Sequence, residues 1–131
     1  MDGISLNCMA NIMIADDSDA IRLVLKDILG IGNHIVVAEA ANGDEAVDLY
    51  FKTSPDLLLL DLAMPKKDGL DVLKEILERD TKAKIVLITA SDDQKIINQC
   101  LQIGALSCIS KPFDFNAVLK QVNESLLVQA N

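Results

Sequence analysis

Aromatic residues are scarce in this chain, which has no Trp, one Tyr and three Phe. Few rings are therefore available to stack against a flavin. Positive charge is also short: 12 Lys and Arg face 20 Asp and Glu, for a net charge of −8. Non-specific nucleic-acid binding relies on basic residues neutralising phosphates, so no nucleic-acid role is expected. The three cysteines, Cys8, Cys100 and Cys108, are odd in number and lack CxxC spacing. That argues against a disulfide framework or a zinc site and for reduced thiols packed as small hydrophobes. No apolar run approaches the ~18 consecutive residues of a membrane-crossing helix. Met1 to Ala10 lacks the basic start and continuous apolar stretch of a signal peptide. The expectation is a cytoplasmic protein without membrane insertion.

Apolar side chains, in contrast, are plentiful. They make up 50% of the chain, and mean hydropathy is +0.28. The 131 residues suit one domain, which can bury a core without disulfides or a structural metal. The expected division is a leader at 1–10, a domain at 11–127 and a tail at 128–131.

Short apolar runs alternate with helix-period segments five times. Asn11 to Ala15 reads as a first strand, followed by a helix with Ile21, Val24, Leu25 and Ile28 inward. Gly30 and Gly32 are expected to end that helix in the left-handed conformation. Ile35 to Ala38 reads as a second strand. Asn42-Gly43 leads into a helix to about Lys52 that buries Ala46, Leu49 and Tyr50. Leu57 to Leu60 shows no polar alternation, which suits a central parallel strand covered on both faces. A helix from about Gly69 to Arg79 turns Leu73, Ile76 and Leu77 inward. Lys84 to Thr89 is a fourth strand, and a helix from about Asp92 to Ile103 aligns Ile97, Cys100, Leu101 and Gly104. Ser107 to Ser110 is a short fifth strand. Asp114 then caps a last helix that buries Val118, Val122 and Leu126. Such alternation predicts an α/β fold, a parallel sheet with helices on both faces.

Polar residues gather where these strands end: Asp16 and Asp17 after the first, Asp61 after the third, Thr89 after the fourth and Lys111 after the fifth. Open α/β sheets bind ligands at that edge. Three crowded carboxylates repel one another, and a hard cation such as magnesium relieves them. A carboxylate can attack phosphorus, which makes Asp61 the candidate nucleophile. Lys111 can neutralise phosphoryl charge, and the Thr89 hydroxyl can donate to a phosphoryl oxygen. Singly, each of these residues reads as a helix cap, a surface lysine or a strand end. Together, and in this order, they read as one site.

From about Asn11 to Leu127 the chain resembles the receiver domains of bacterial response regulators. The likeness rests on Asp16-Asp17, Ala41-Asn42-Gly43 with Glu45-Ala46, Pro55 to Asp61, Met64-Pro65 with Asp68-Gly69, Thr89-Ala90, Gly104-Ala105 and Lys111-Pro112-Phe113. The resemblance implies a flavodoxin-like doubly wound five-stranded sheet of order 2-1-3-4-5 with five helices. It implies Asp61 as phosphoacceptor, Mg2+ bound by Asp17 and Asp61, by Asp16 largely through water, and by the Ala63 backbone carbonyl. It implies a lysine, Lys111, paired with the phosphoryl group and a cis bond to Pro112, and Gly69 relieving crowding at the turn into the third helix. The implied partners are a histidine kinase or phosphotransfer protein as donor and a downstream protein target. The chain is then a phosphoacceptor that assists its own reactions rather than an enzyme. The donor would meet helix one, with Arg22 and Lys26 as contacts. Output would use Lys95, Ile96, Gln99, Gln102, Ile103 and Lys120.

Two departures stand out. Cys108 replaces the Tyr or Phe common three residues before the lysine, so an aromatic rotamer switch cannot operate in the usual form. A loop movement at Ser91 to Asp93, with Cys108 lining the space Thr89 leaves, is expected instead. Ala63 and Ser91 hold the positions that tune phosphoryl loss in the family, and neither orients water well. A haloacid-dehalogenase phosphatase would need an Asp where Ala63 stands. A flavodoxin would suffer repulsion between Asp16-Asp17 and the flavin phosphate. A degenerate receiver acting as a phosphorylation-independent scaffold is the remaining alternative.

Overall fold

The computed structural model describes residues 9–90 and 94–128. Five strands, β1 (Asn11–Ala15), β2 (Ile35–Ala40), β3 (Leu57–Asp61), β4 (Ile85–Thr89) and β5 (Ser107–Ser110), alternate with five helices. The helices are α1 (Asp19–Ile31), α2 (Gly43–Thr53), α3 (Gly69–Arg79), α4 (Gln94–Ile103) and α5 (Phe115–Leu126). All four strand pairings are parallel, and the order is β2-β1-β3-β4-β5.

The apolar runs occupy the middle of this sheet because only there are both faces covered. Every residue of β3 and β4 is buried. Alternate side chains sort into two layers. Met13, Leu58, Leu60, Ile85 and Leu87 join Ala46, Tyr50, Val72, Leu73, Ile76 and Cys100, under α2, α3 and α4. Ile12, Ile14, Leu57, Leu59, Val86 and Ile88 join Leu25, Leu29, Val118 and Val122, under α1 and α5. Each fully buried leucine contributes about 1.5–3 kcal/mol of transfer free energy.

Edge strand β2 serves both layers by breaking its own alternation. Ile12 pairs with Val36 and Met13 with Ala38, so Val37 is an extra residue in a bulge. Val36 therefore packs toward α1 and α5, and Ala38 toward α2 and α3. The strand runs on to Ala40, two residues past the expected end, while β4 starts at Ile85 rather than Lys84.

Among the described residues, four helix starts carry a side-chain cap. Ser18, Asn42, Asp68 and Asp114 each accept the N–H three residues on, from Ile21, Glu45, Asp71 and Ala117. Each cap is worth about 1 kcal/mol. The end of α1 departs from expectation. Gly30 lies within the helix, Gly32 has φ −81°, and the left-handed residue is Asn33 at φ 67°. Asn tolerates that conformation better than most side chains, and His34 N–H then closes back on the Leu29 carbonyl at 2.9 Å.

Burial corrects several expected helix faces. In α1 the inward stripe is Leu25, Ile28 and Leu29, while Val24 is exposed. In α4, Ile97 and Cys100 are buried but Leu101 is turned out. Leu49, Leu77 and Leu126 are half-buried at layer margins, and Ile103 packs against the core rather than standing free. The expected α4 start at Asp92 lies outside the described residues.

Candidate functional site

Four of the five strands, β1, β3, β4 and β5, deliver the pieces of the site. β1 ends at Ala15, and the next residue, Asp16, is fully buried with its N–H on the Ala40 carbonyl at 3.0 Å. Its Oδ1 accepts the Ser18 N–H at 2.9 Å, tying the carboxylate to the cap of α1. Asp17 beside it is exposed. β3 ends on Asp61, whose Oδ1 accepts the Ala63 N–H at 3.1 Å. Thr89 ends β4 and is buried. Lys111, placed by its N–H on the Thr89 carbonyl at 2.8 Å, reaches across to both acids. Its Nζ lies 3.0 Å from Asp16 Oδ2 and 3.7 Å from Asp61 Oδ2.

Oxygen atoms of Asp16, Asp17 and Asp61 all lie within 4.8 Å of one another. Burial pushes the Asp61 carboxyl above the usual carboxylate range. The Ala63 N–H opposes that, Asp16 adds to it, Lys111 opposes it and Asp17 adds to it. Asp16 Oδ2 has the Lys111 ammonium at ion-pair distance but accepts no hydrogen bond. A buried carboxylate oxygen with an ion-pair contact but no hydrogen bond, in an all-oxygen cluster, fits a small hard cation. Asp17, Asp61, Ala63, Thr89 and Lys111 line one cleft of about 590 Å³.

The loop after β3 is held by close packing. A Cβ on Gly69 would lie 2.6 Å from the Asp61 carbonyl oxygen and from Leu62 Cα. A Cβ on Gly43, at the start of α2, would collide with the Lys67 carbonyl. Lys67 is further tied by its ammonium to Glu75 and Asp44. Glycine at both places is a requirement of contact.

Arg22 and Lys26 are both paired within the chain. Arg22 Nη1 donates to the Asp16 carbonyl at 2.6 Å, and Nε to Glu39 at 3.1 Å, with Asp19 also paired. Lys26 pairs with Glu39 at 3.0 Å. Lys26 first, opposed in part by burial and reinforced by Arg22, holds the Glu39 carboxyl below its usual range. Arg22 thus braces the loop carrying Asp16, a role no local motif announces because Glu39 comes from β2.

The Lys111–Pro112 bond is cis. Cys108 lies opposite Leu87, two residues deeper than the Thr89–Ser110 pair. Burial pushes the thiols of Cys100 and Cys108 up, as befits packing residues. Cys8, Ser91 and the Ser91–Asp93 movement lie outside the described residues. Among the output-face candidates, Lys95, Ile96, Gln99, Gln102 and Lys120 are exposed.

The model of the response regulator receiver domain family matches residues 12–123. This chain belongs to that family. Among relatives of this receiver domain, chemotaxis protein CheY of Bacillus subtilis (strain 168) is 42% identical over 115 residues, covering 88% of this chain and 96% of CheY. Protein CcdB of the same organism is 39% identical with the same coverage. A chain of the CheX-CheY-BeF3-Mg2+ complex from Borrelia burgdorferi matches the receiver domain with TM-score 0.85 and 35% identity, over 91% of this chain and 90% of that one. No helix among the described residues is long and apolar enough to cross a membrane.

Proposed function

We propose that this receiver domain accepts a phosphoryl group on Asp61 from a histidine kinase or phosphotransfer protein in the cytoplasm. It then signals by protein contact. The carrying observation is the cluster of Asp16, Asp17 and Asp61 oxygens within 4.8 Å, with Lys111 Nζ between two of them. Asp16, Asp17, Asp61 and the Ala63 carbonyl are the groups that would hold Mg2+. Bound there, the ion supplies positive charge against the charge on the phosphoryl oxygens.

The protein's own groups account for the rest. Asp61 Oδ1 is held by the Ala63 N–H, which leaves Oδ2, on the Lys111 side, as the attacking atom. Attack forms an oxygen–phosphorus bond as the donor's nitrogen–phosphorus bond breaks and the donor imidazole takes up a proton. Lys111 exchanges its contact with Asp61 for one with the phosphoryl oxygens, and the Thr89 hydroxyl donates to another of them. Acetyl phosphate with Mg2+ should add about 80 Da, one phosphoryl group, to the wild type by intact mass. Asp61→Asn should gain nothing at that site. Equal labelling of the variant rejects the assignment, and absence of labelling in the wild type favours a scaffold without phosphoryl chemistry.

A further inference from the structure

The cleft over Asp61 is larger and greasier than phosphoryl transfer requires. Its volume of about 590 Å³ falls within the ~300–1,000 Å³ of small-molecule sites. A phosphoryl group fills only a minor part of it. Asp17, Asp61 and Lys111 supply charge, but most of the exposed lining is apolar, with Leu70 from α3 and Ile96 and Ile97 from α4. Asp68, also in the wall, is engaged through Oδ1 in capping α3. Ile96 is a large aliphatic side chain left 40% exposed, in a wall continuous with the phosphoacceptor.

We propose that this cleft takes acyl phosphates with an apolar acyl group as direct phosphoryl donors, in preference to acetyl phosphate. This rests on the reading of Asp61 as phosphoacceptor and names a substrate class for the same site. The phosphoryl end is matched by Lys111, beside the carboxylates that would hold a cation, and the acyl chain by Leu70, Ile96 and Ile97. An Asp61 oxygen forms the new bond to phosphorus while the bond from phosphorus to the bridging acyl oxygen breaks. The released carboxylate carries off the electron pair and needs no proton at neutral pH. Ala63 and Ala90, both in the lining, are small enough to leave the way from Asp61 to the apolar wall open. Each methylene moved from water onto that wall favours the longer donor by about fourfold.

The experiment compares initial rates of Asp61 labelling by acetyl phosphate and butyryl phosphate, each limiting, on the full chain with Mg2+, followed by intact mass. The two donors release carboxylates of nearly equal basicity, so their intrinsic reactivities are matched. The wild type should favour butyryl phosphate by about tenfold, a little under two buried methylenes. Ile96→Ser and Leu70→Ser should each pull the ratio toward one. Because the ratio is internal to each protein, general losses of folding or reactivity cancel. Equal rates in the wild type overturn the apolar donor site while leaving Asp61 as phosphoacceptor. A preference that survives both substitutions overturns its placement on this wall. No labelling by either donor overturns the phosphoacceptor reading itself.

Discussion

At Asp61 the demands of folding and of chemistry oppose each other. Its carboxyl is buried beside Asp16 and Asp17, and its folded-state pKa is raised above the unfolded value. For an acid so shifted, the folded state is penalised at any pH above the folded pKa. The penalty is relieved as pH falls through that pKa and is gone below the unfolded value. Asp61→Asn should therefore raise Tm in metal-free buffer at pH 7, with the gain shrinking as the buffer is acidified toward pH 4. A constant or growing difference in thermal melts would refute burial as the cause. The positions of Asp16, Asp17, Asp61, Thr89 and Lys111 are legible in the sequence because each stands at or just after the end of an expected strand, and the strand fixes where it lies. Arg22 was not legible. Its partners, Glu39 and the Asp16 carbonyl, become neighbours only when β2 pairs with β1.

Among the elements, strands are more legible in the sequence than helix faces. Leu57 to Leu60 can only be a covered strand, whereas a helix with apolar residues at 21, 24, 25, 28 and 29 admits two phases. Contact with β1, β2 and α5 selects the one through Leu25, Ile28 and Leu29 and turns Val24 out. The same ambiguity displaced Leu101. Glycines test the element scale more sharply. Gly30 sits inside α1, where an added Cβ would meet nothing within 4 Å, while Gly43 abuts the Lys67 backbone. Gly30→Ala should stabilise by up to about 1 kcal/mol in urea unfolding, through helix propensity. Gly43→Ala should destabilise by about 1–3 kcal/mol, as overpacking does, and shift amide resonances from Ala63 to Asp68. Similar effects from the two substitutions would show that the α2–loop contact is slack.

For the molecule as a whole, alternation predicted a parallel α/β sheet, but the order β2-β1-β3-β4-β5 came from family resemblance. The Leu57 to Leu60 run marks β3 as covered on both faces, but no apolar pattern says which strands flank it on either side. A net charge of −8, part of it concentrated in the acidic cluster, makes stability depend on cations. Mg2+ should raise Tm more than NaCl of equal ionic strength, since a specific ligand at a hundred times its Kd adds about 2.7 kcal/mol. Calorimetry of Asp61→Asn should show a smaller magnesium increment; an equal one would place the ion elsewhere.

The bulge at Val37 has a consequence beyond packing. A straight, unpaired margin of sheet is adhesive, offering a row of amides on which any stray strand can grow. One supernumerary residue spoils that template midway along β2, where Ile35 is still exposed. A domain that carries such an edge must be kept from growing onto its own copies. Deleting Val37 would straighten the margin, and the cost would appear as turbidity at high concentration before it appeared as any fall in Tm.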